Sequence, residues 1–193
     1  MNKLNFKKIG EITLITKQFD DSLRDSGQTV ILHVEIHNLF NPQCVQICVI
    51  TTDTRHVLFD SLVQCKEEIF SLYWAVHRIK NEDVENAPTP IELFEAFFSV
   101  IENKNIICVD ANLTQKALWN TFNTREMIGK LEQERFYCLR GMYDDIYKTD
   151  SLRERKDIIK TEMTGEQDRA YRNCLAIADT LDQLSITTIF ASE

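Results

Sequence analysis

His33, Glu35 and His37 are the residues whose types and spacing first suggest chemistry. They alternate through the run TVILHVEI (Thr29 to Ile36) and one step beyond it, and alternate residues of a strand share a face. Two imidazoles and a carboxylate form a donor set suited to Fe²⁺, Mn²⁺ or Zn²⁺. All three cannot grip one ion, because positions i and i+4 of an extended strand lie roughly 13 Å apart. The six cysteines, Cys44, Cys48, Cys65, Cys108, Cys138 and Cys174, are scattered through apolar runs without a CxxC or zinc-knuckle spacing. Cys44 and Cys48 are expected on one face of one strand, too far apart to chelate together. The cysteines read as reduced core thiols. His56, beside a turn, is expected at the surface, and His77 in structural packing. Trp74 and Trp119, at helical positions, are expected in the core rather than as base-stacking platforms.

Composition bounds the function. The chain has 193 residues, 44% of them apolar and 27% charged, enough to bury a single sizeable core. Five Gly and three Pro exclude collagen-like and linker-dominated architectures. No apolar run reaches the roughly 18–20 residues that span a bilayer, so no membrane partner is expected. The polar, Lys-bearing start, Met1 to Gly10, does not resemble a secretory signal, and a cytoplasmic location is expected. Thirty acids against 22 bases leave a net charge of −8, the opposite of a nucleic-acid footprint. The most basic stretch, Leu152 to Lys160, reads as a solvated helix face.

The elements that must position these groups emerge from periodicity. Glu11 to Lys17 alternates as a strand would, and Thr29 to Ile36 has the apolar centre of a buried one. Cys44 to Thr52 and His56 to Val63 read as an antiparallel hairpin around Asp53, Thr54 and Arg55. Glu67 to Ile79 has a helical pattern. Thr89-Pro90-Ile91-Glu92 combines a capping box with a proline at the first helical position. Asn105 to Val109 is a short buried strand, and Thr114 to Phe122 a helix with Thr114 as its cap. Further helices are predicted over Phe136 to Lys148, from a capping box at Ser151 to Glu154, and from Glu166 to Leu184.

This order of elements resembles the DEDDh (proofreading, epsilon-type) 3′–5′ exonucleases. The resemblance covers about residues 29–184 and is most specific at Val76-His77-Arg78-Ile79, Asn81-Glu82-Asp83-Val84 and Asn86-Ala87-Pro88-Thr89, similar to the family's H-G-I-T-x-E-x-V-x-x-A-P-T segment. It implies an α/β fold with a ribonuclease-H-like mixed sheet, three antiparallel strands followed by parallel ones, flanked by helices. Residues 1–193 are then one exonuclease-like domain, with 1–28 an N-terminal extension or an extra strand.

The family's chemistry uses four carboxylates to hold two divalent cations, and a histidine to take a proton from the attacking water. Residue by residue, this chain departs from that pattern. The first motif, Asp-x-Glu, falls on His33-Val34-Glu35, and the family's next residues, Thr-Thr-Gly, on Ile36-His37-Asn38. The second, ending in a metal-binding Asp, falls on Val109 to Leu113 and ends in Thr114. The third falls on Asp168 to Cys174, with Asp168 where the general-base His stands and Asn173 where the last metal-binding Asp stands. Only Glu35 keeps its type. Losing this much negative charge dismantles a two-cation site.

The expectation is therefore a degenerate exonuclease fold with no intact catalytic group and no cofactor, acting by binding a protein partner or a nucleic-acid 3′ end. The alternative is a metal-dependent 3′–5′ exonuclease with a rebuilt site. It would hold Mg²⁺ or Mn²⁺ on Glu35 with Asp110, Asp168 or His33, Asp110 reaching from four residues before Thr114. A structural subunit with a filled cleft is the third reading.

Overall fold

The computed structural model describes residues 27–141 and 169–190. Five strands form one sheet in the order β3-β2-β1-β4-β5. β1 (Thr29–Ile36), β2 (Cys44–Thr51) and β3 (Val57–Leu62) form an antiparallel meander; β4 (Asn105–Cys108) lies parallel to β1, and β5 (Arg135–Cys138) parallel to β4. Both faces of the central strands are covered, which explains why β1 and β2 read as near-continuous apolar runs. The β2–β3 turn closes at Arg55, whose φ of 57° places a non-glycine residue in the left-handed region.

Alternation along β1 and β4 divides the core into two layers. Val30, Leu32 and Ile106 face α3 (Pro90–Ile101) and α4 (Ala111–Thr121), whereas Ile31 and Ile107 face α6 (Arg169–Phe190). Between these elements lie α1 (Ser71–His77), α2 (Asn81–Glu85) and α5 (Arg125–Leu131). The first layer centres on phenylalanines. Phe97 stacks on Phe122 with ring centroids 5.3 Å apart, and Phe94 meets Phe122 edge-on at 5.2 Å. α3 starts as its sequence requires: Thr89 Oγ1 accepts from Glu92 N–H, Glu92 accepts in return from Thr89 N–H, and Pro90 occupies the first turn.

A buried polar joint ties β2 to α4. The Cys44 amide donates to Thr121 Oγ1 at 2.8 Å, and that hydroxyl donates to the Ala117 carbonyl. Thr121→Val keeps the shape but leaves the Cys44 N–H buried without its acceptor, so urea unfolding should show a loss of about 1–3 kcal/mol.

Several expectations are corrected. Residues 67–70 are not helical; the helix is confined to Ser71–His77 and is succeeded by the unforeseen short helix Asn81–Glu85. α4 begins one turn earlier than predicted, with Asp110 rather than Thr114 as its cap. Phe136 to Cys138, predicted as helix, belongs to strand β5, because its backbone pairs with β4. Cys44 and Cys48 do not share a face. The register runs from Glu35↔Gln46 to Ile36↔Cys44, so Val45 is an extra residue that inverts the alternation, and Cys44 joins the first layer while Cys48 joins the second. Trp74 is exposed, with the Arg78 guanidinium 5.4 Å from its ring centre, whereas Trp119 packs on the core as expected. His56 is exposed and His77 buried, both as expected. All six cysteines are free thiols. The strand at Glu11 to Lys17, the basic stretch 152–160 and the capping box at Ser151 lie outside the described residues. Among the described residues, no helix is long and apolar enough to cross a membrane.

Candidate functional site

β1 and α6 build the candidate site together. Odd-numbered residues of β1 face α6, so His33 and Glu35 project from the same face as Ile31. Cys48 lies directly opposite His33 on β2, and the Cys174 thiol of α6 donates to the Cys48 carbonyl at 3.5 Å. That contact sets the turn of α6 that carries Asn173 over the β1 pair. Ala170, Cys174, Ile177 and Ala178 form the buried stripe that holds the helix down. At the far end Arg55 Nη2 donates to Asp179 Oδ1 at 2.6 Å and Asp182 Oδ2 at 2.9 Å, fastening the β2–β3 turn to the same helix.

The result is a closed triangle of polar groups. Asn173 Nδ2 donates to Glu35 Oε1 at 2.8 Å and stands 3.0 Å from His33 Nε2; His33 Nε2 is 3.3 Å from Glu35 Oε1. The Asn173 amide must face Glu35 through its nitrogen, because its oxygen would meet a second acceptor there. Glu35 itself is only 7% exposed. Of the residues that the sequence singles out, this triangle unites His33, Glu35 and Asn173.

The other candidates within the described residues are committed elsewhere. Asp110 Oδ1 accepts from the Leu113 amide at 3.0 Å as the cap of α4, and its Oδ2 accepts from Arg140 Nη1 at 3.1 Å. Thr114 is buried and its hydroxyl meets the Cys108 thiol. Asp168 lies outside the described residues. His37 does not join His33 and Glu35, because β1 ends at Ile36. Its ring turns inward, where Nδ1 accepts from the Gln43 amide at 3.1 Å and Nε2 meets Asn38 Nδ2. Among the described residues, no cluster of three or more His, Cys, Asp or Glu side chains could hold a metal ion.

Burial holds the His37 pKa below the ordinary 6.5, against the opposing effects of the Gln43 backbone and the Glu67 charge. The unfolded chain binds a proton near 6.5 that the folded chain refuses. Stability from this group is therefore complete above about 6.5 and falls as the pH drops from there towards the folded-state value. Urea unfolding at neutral and mildly acidic pH should show this loss, and His37→Gln should flatten the slope.

The loop after β1 carries a feature that periodicity and motifs do not reveal. Asn38 Oδ1 accepts from the amides of Phe40 and Asn41, a turn that leaves Leu39 and Phe40 exposed, Phe40 at 85%. The Phe70 amide donates to the His37 carbonyl, so this loop abuts the start of α1, where Phe70, Leu72, Trp74 and Val76 are exposed too. An aromatic residue inside the turn-forming stretch Asn38 to Pro42 was the available signal. Arg140, the partner of Asp110, had none, since it lies in a segment that reads as helix.

No protein-family model matches the chain, and no curated protein does. Solved structures do. Exonuclease X in complex with 5′-overhanging duplex DNA is 15% identical, with 83% of this chain and 92% of that chain covered and a TM-score of 0.59. Pop2p of S. pombe, in its Mg²⁺- and Mn²⁺-bound form, is 10% identical, with 92% and 88% covered and a TM-score of 0.60. A 3′-exonuclease recognising a histone mRNA stem-loop is 12% identical, with 81% of each chain covered and a TM-score of 0.54. At these identities the likeness is one of fold: the chain has a ribonuclease-H-like α/β fold, similar to that of exonucleases.

Proposed function

We propose that this chain is an exonuclease-fold protein whose two-cation site has been dismantled, and that it acts by binding a protein partner rather than by cutting. One observation carries the reading. The Asn173 amide donates to Glu35 Oε1, so a neutral N–H group occupies one of the carboxylate lone pairs and stands where the family has a second carboxylate. Mg²⁺ and Mn²⁺ demand several oxygen donors, preferably anionic. Among the described residues, the groups that meet Glu35 Oε1 include an imidazole and an amide nitrogen, while Asp110 is held by the start of α4 and by Arg140.

The exposed apolar side chains at Leu39, Phe40, Phe70, Leu72, Trp74 and Val76 support a binding role, since such groups mark interaction surfaces when they gather. The net charge of −8 favours a protein over a polyanion. A nucleic-acid 3′ end held without turnover is the competing target, favoured by Phe40 as a surface on which a base could stack.

A gel shift with 3′-tailed single strands at increasing salt separates the two. The protein-partner reading expects no shift at physiological salt. A shift that weakens steeply with salt would replace the partner with a nucleic acid.

A further inference from the structure

Cys108 and Cys138 are register partners on the parallel strands β4 and β5, so their side chains leave the same face of the sheet. Their sulfurs reach across the gap in opposite senses. Cys108 Sγ lies 3.6 Å from the Tyr137 carbonyl oxygen on β5, and Cys138 Sγ lies 3.4 Å from that of Val109, just past β4. Adjacent strands are about 4.8 Å apart, inside the roughly 4.4–6.8 Å between Cα atoms that a disulfide bridges.

The two thiols differ in access. Cys108 is buried, and burial pushes its thiol up to about 12. Cys138 is half-buried, and its neighbour Gly141 presents no side chain to it; a Cβ there would lie 3.9 Å from the Cys138 sulfur. Attack from outside therefore begins at Cys138.

We propose that Cys108 and Cys138 form a redox-modification site, in which a low-molecular-weight disulfide such as oxidised glutathione converts the pair to a disulfide joining β5 to β4. Cys138 gives its proton to solvent and its thiolate attacks one glutathione sulfur. The glutathione S–S bond breaks, a mixed disulfide forms on Cys138, and one glutathione leaves and takes up a proton. Cys108 then loses its proton and attacks the Cys138 sulfur, expelling the second glutathione as a thiol. Two protein thiols are oxidised and one glutathione disulfide is reduced to two thiols. The second step is intramolecular, which offsets the small thiolate fraction of Cys108. The product fastens a four-residue strand that lies at the edge of the sheet among the described residues, and it closes the loop that contains α4 and α5.

The test incubates the folded full-length chain with oxidised glutathione. Remaining thiols are then alkylated in denaturant and the peptides are read by mass spectrometry. The expected result is joint loss of two hydrogens from the Cys108 and Cys138 peptides, reversed by dithiothreitol. Cys48 and Cys174, both fully buried, should stay reduced and so report that the chain remained folded. Cys138→Ser should leave Cys108 reduced, and Cys108→Ser should trap Cys138 as the glutathione adduct. A stable wild-type adduct on Cys138, full alkylation of both thiols, or cross-linking only together with Cys48 and Cys174 would each overturn the proposal.

Discussion

Phe122→Ala is expected to cost about 3–5 kcal/mol, enough to bring the chain close to unfolding. Phe122 is fully buried just past the end of α4, where it stacks on Phe97 and meets Phe94 edge-on. Phe97 in turn lies 5.7 Å from Phe59 on β3, so one ring links helices α3 and α4 to the far strand of the sheet. Removing Phe122 opens a cavity that these rigid aromatic neighbours cannot fill by relaxing. Urea unfolding measures the loss, and Phe122→Leu should recover most of it because it refills most of the volume. A loss below about 1 kcal/mol would mean that this aromatic layer is not the mechanical centre of the fold.

Asn173→Asp is expected to have the second largest effect, and one that depends on added metal. The substitution removes the N–H donor from Glu35 and sets a second carboxylate about 3 Å from it. Losing a hydrogen bond to a charged group and setting a like charge beside it, at a half-buried position, puts the cost at about 2 kcal/mol at neutral pH. The new carboxylate pair is also a donor set that the native chain lacks. Excess Mn²⁺ should therefore restore part of the lost Tm in Asn173→Asp and leave the native Tm unmoved. A native chain stabilised by Mn²⁺ would contradict the closed triangle. A variant as stable as the native chain, with no response to Mn²⁺, would show that Asn173 does not hold the site shut.

The parts of the fold visible in the sequence are those where local signals agree. The alternation and burial of Thr29 to Ile36, the hairpin turn at Asp53 to Arg55 and the Thr89-Pro90-Glu92 helix start each specify one local structure, and each is present. The errors arose where tertiary pairing decides. Arg135 to Cys138 is too short to show a strand period, and the residues after Cys138 continue in a helical pattern, so only its hydrogen bonds to β4 identify it. Asp110 and Thr114 are both capping residues one turn apart, and the sequence offers no way to rank them; the short link after β4 starts the helix at the earlier one. The extra residue at Val45 leaves no trace, because Cys44 to Ile50 is apolar in either phase but for Gln46.

For the candidate site, motif positions placed His33, Glu35 and Asn173 together, and the structure joins them within hydrogen-bond reach. What the sequence could not convey is direction: that the amide of Asn173 would turn its nitrogen to Glu35, and that Asp110 would be spent on a helix cap and on Arg140.

The most direct test of the dismantled site is degradation of 5′-labelled, 3′-tailed single-stranded DNA and RNA in Mg²⁺ or Mn²⁺, beside a Glu35→Ala control. Full-length label is expected throughout, even at high protein concentration and in Mn²⁺, with no difference between the native chain and the control. Cation-dependent shortening from the 3′ end that Glu35→Ala abolishes would overturn the dismantled site and establish a working metal site on Glu35.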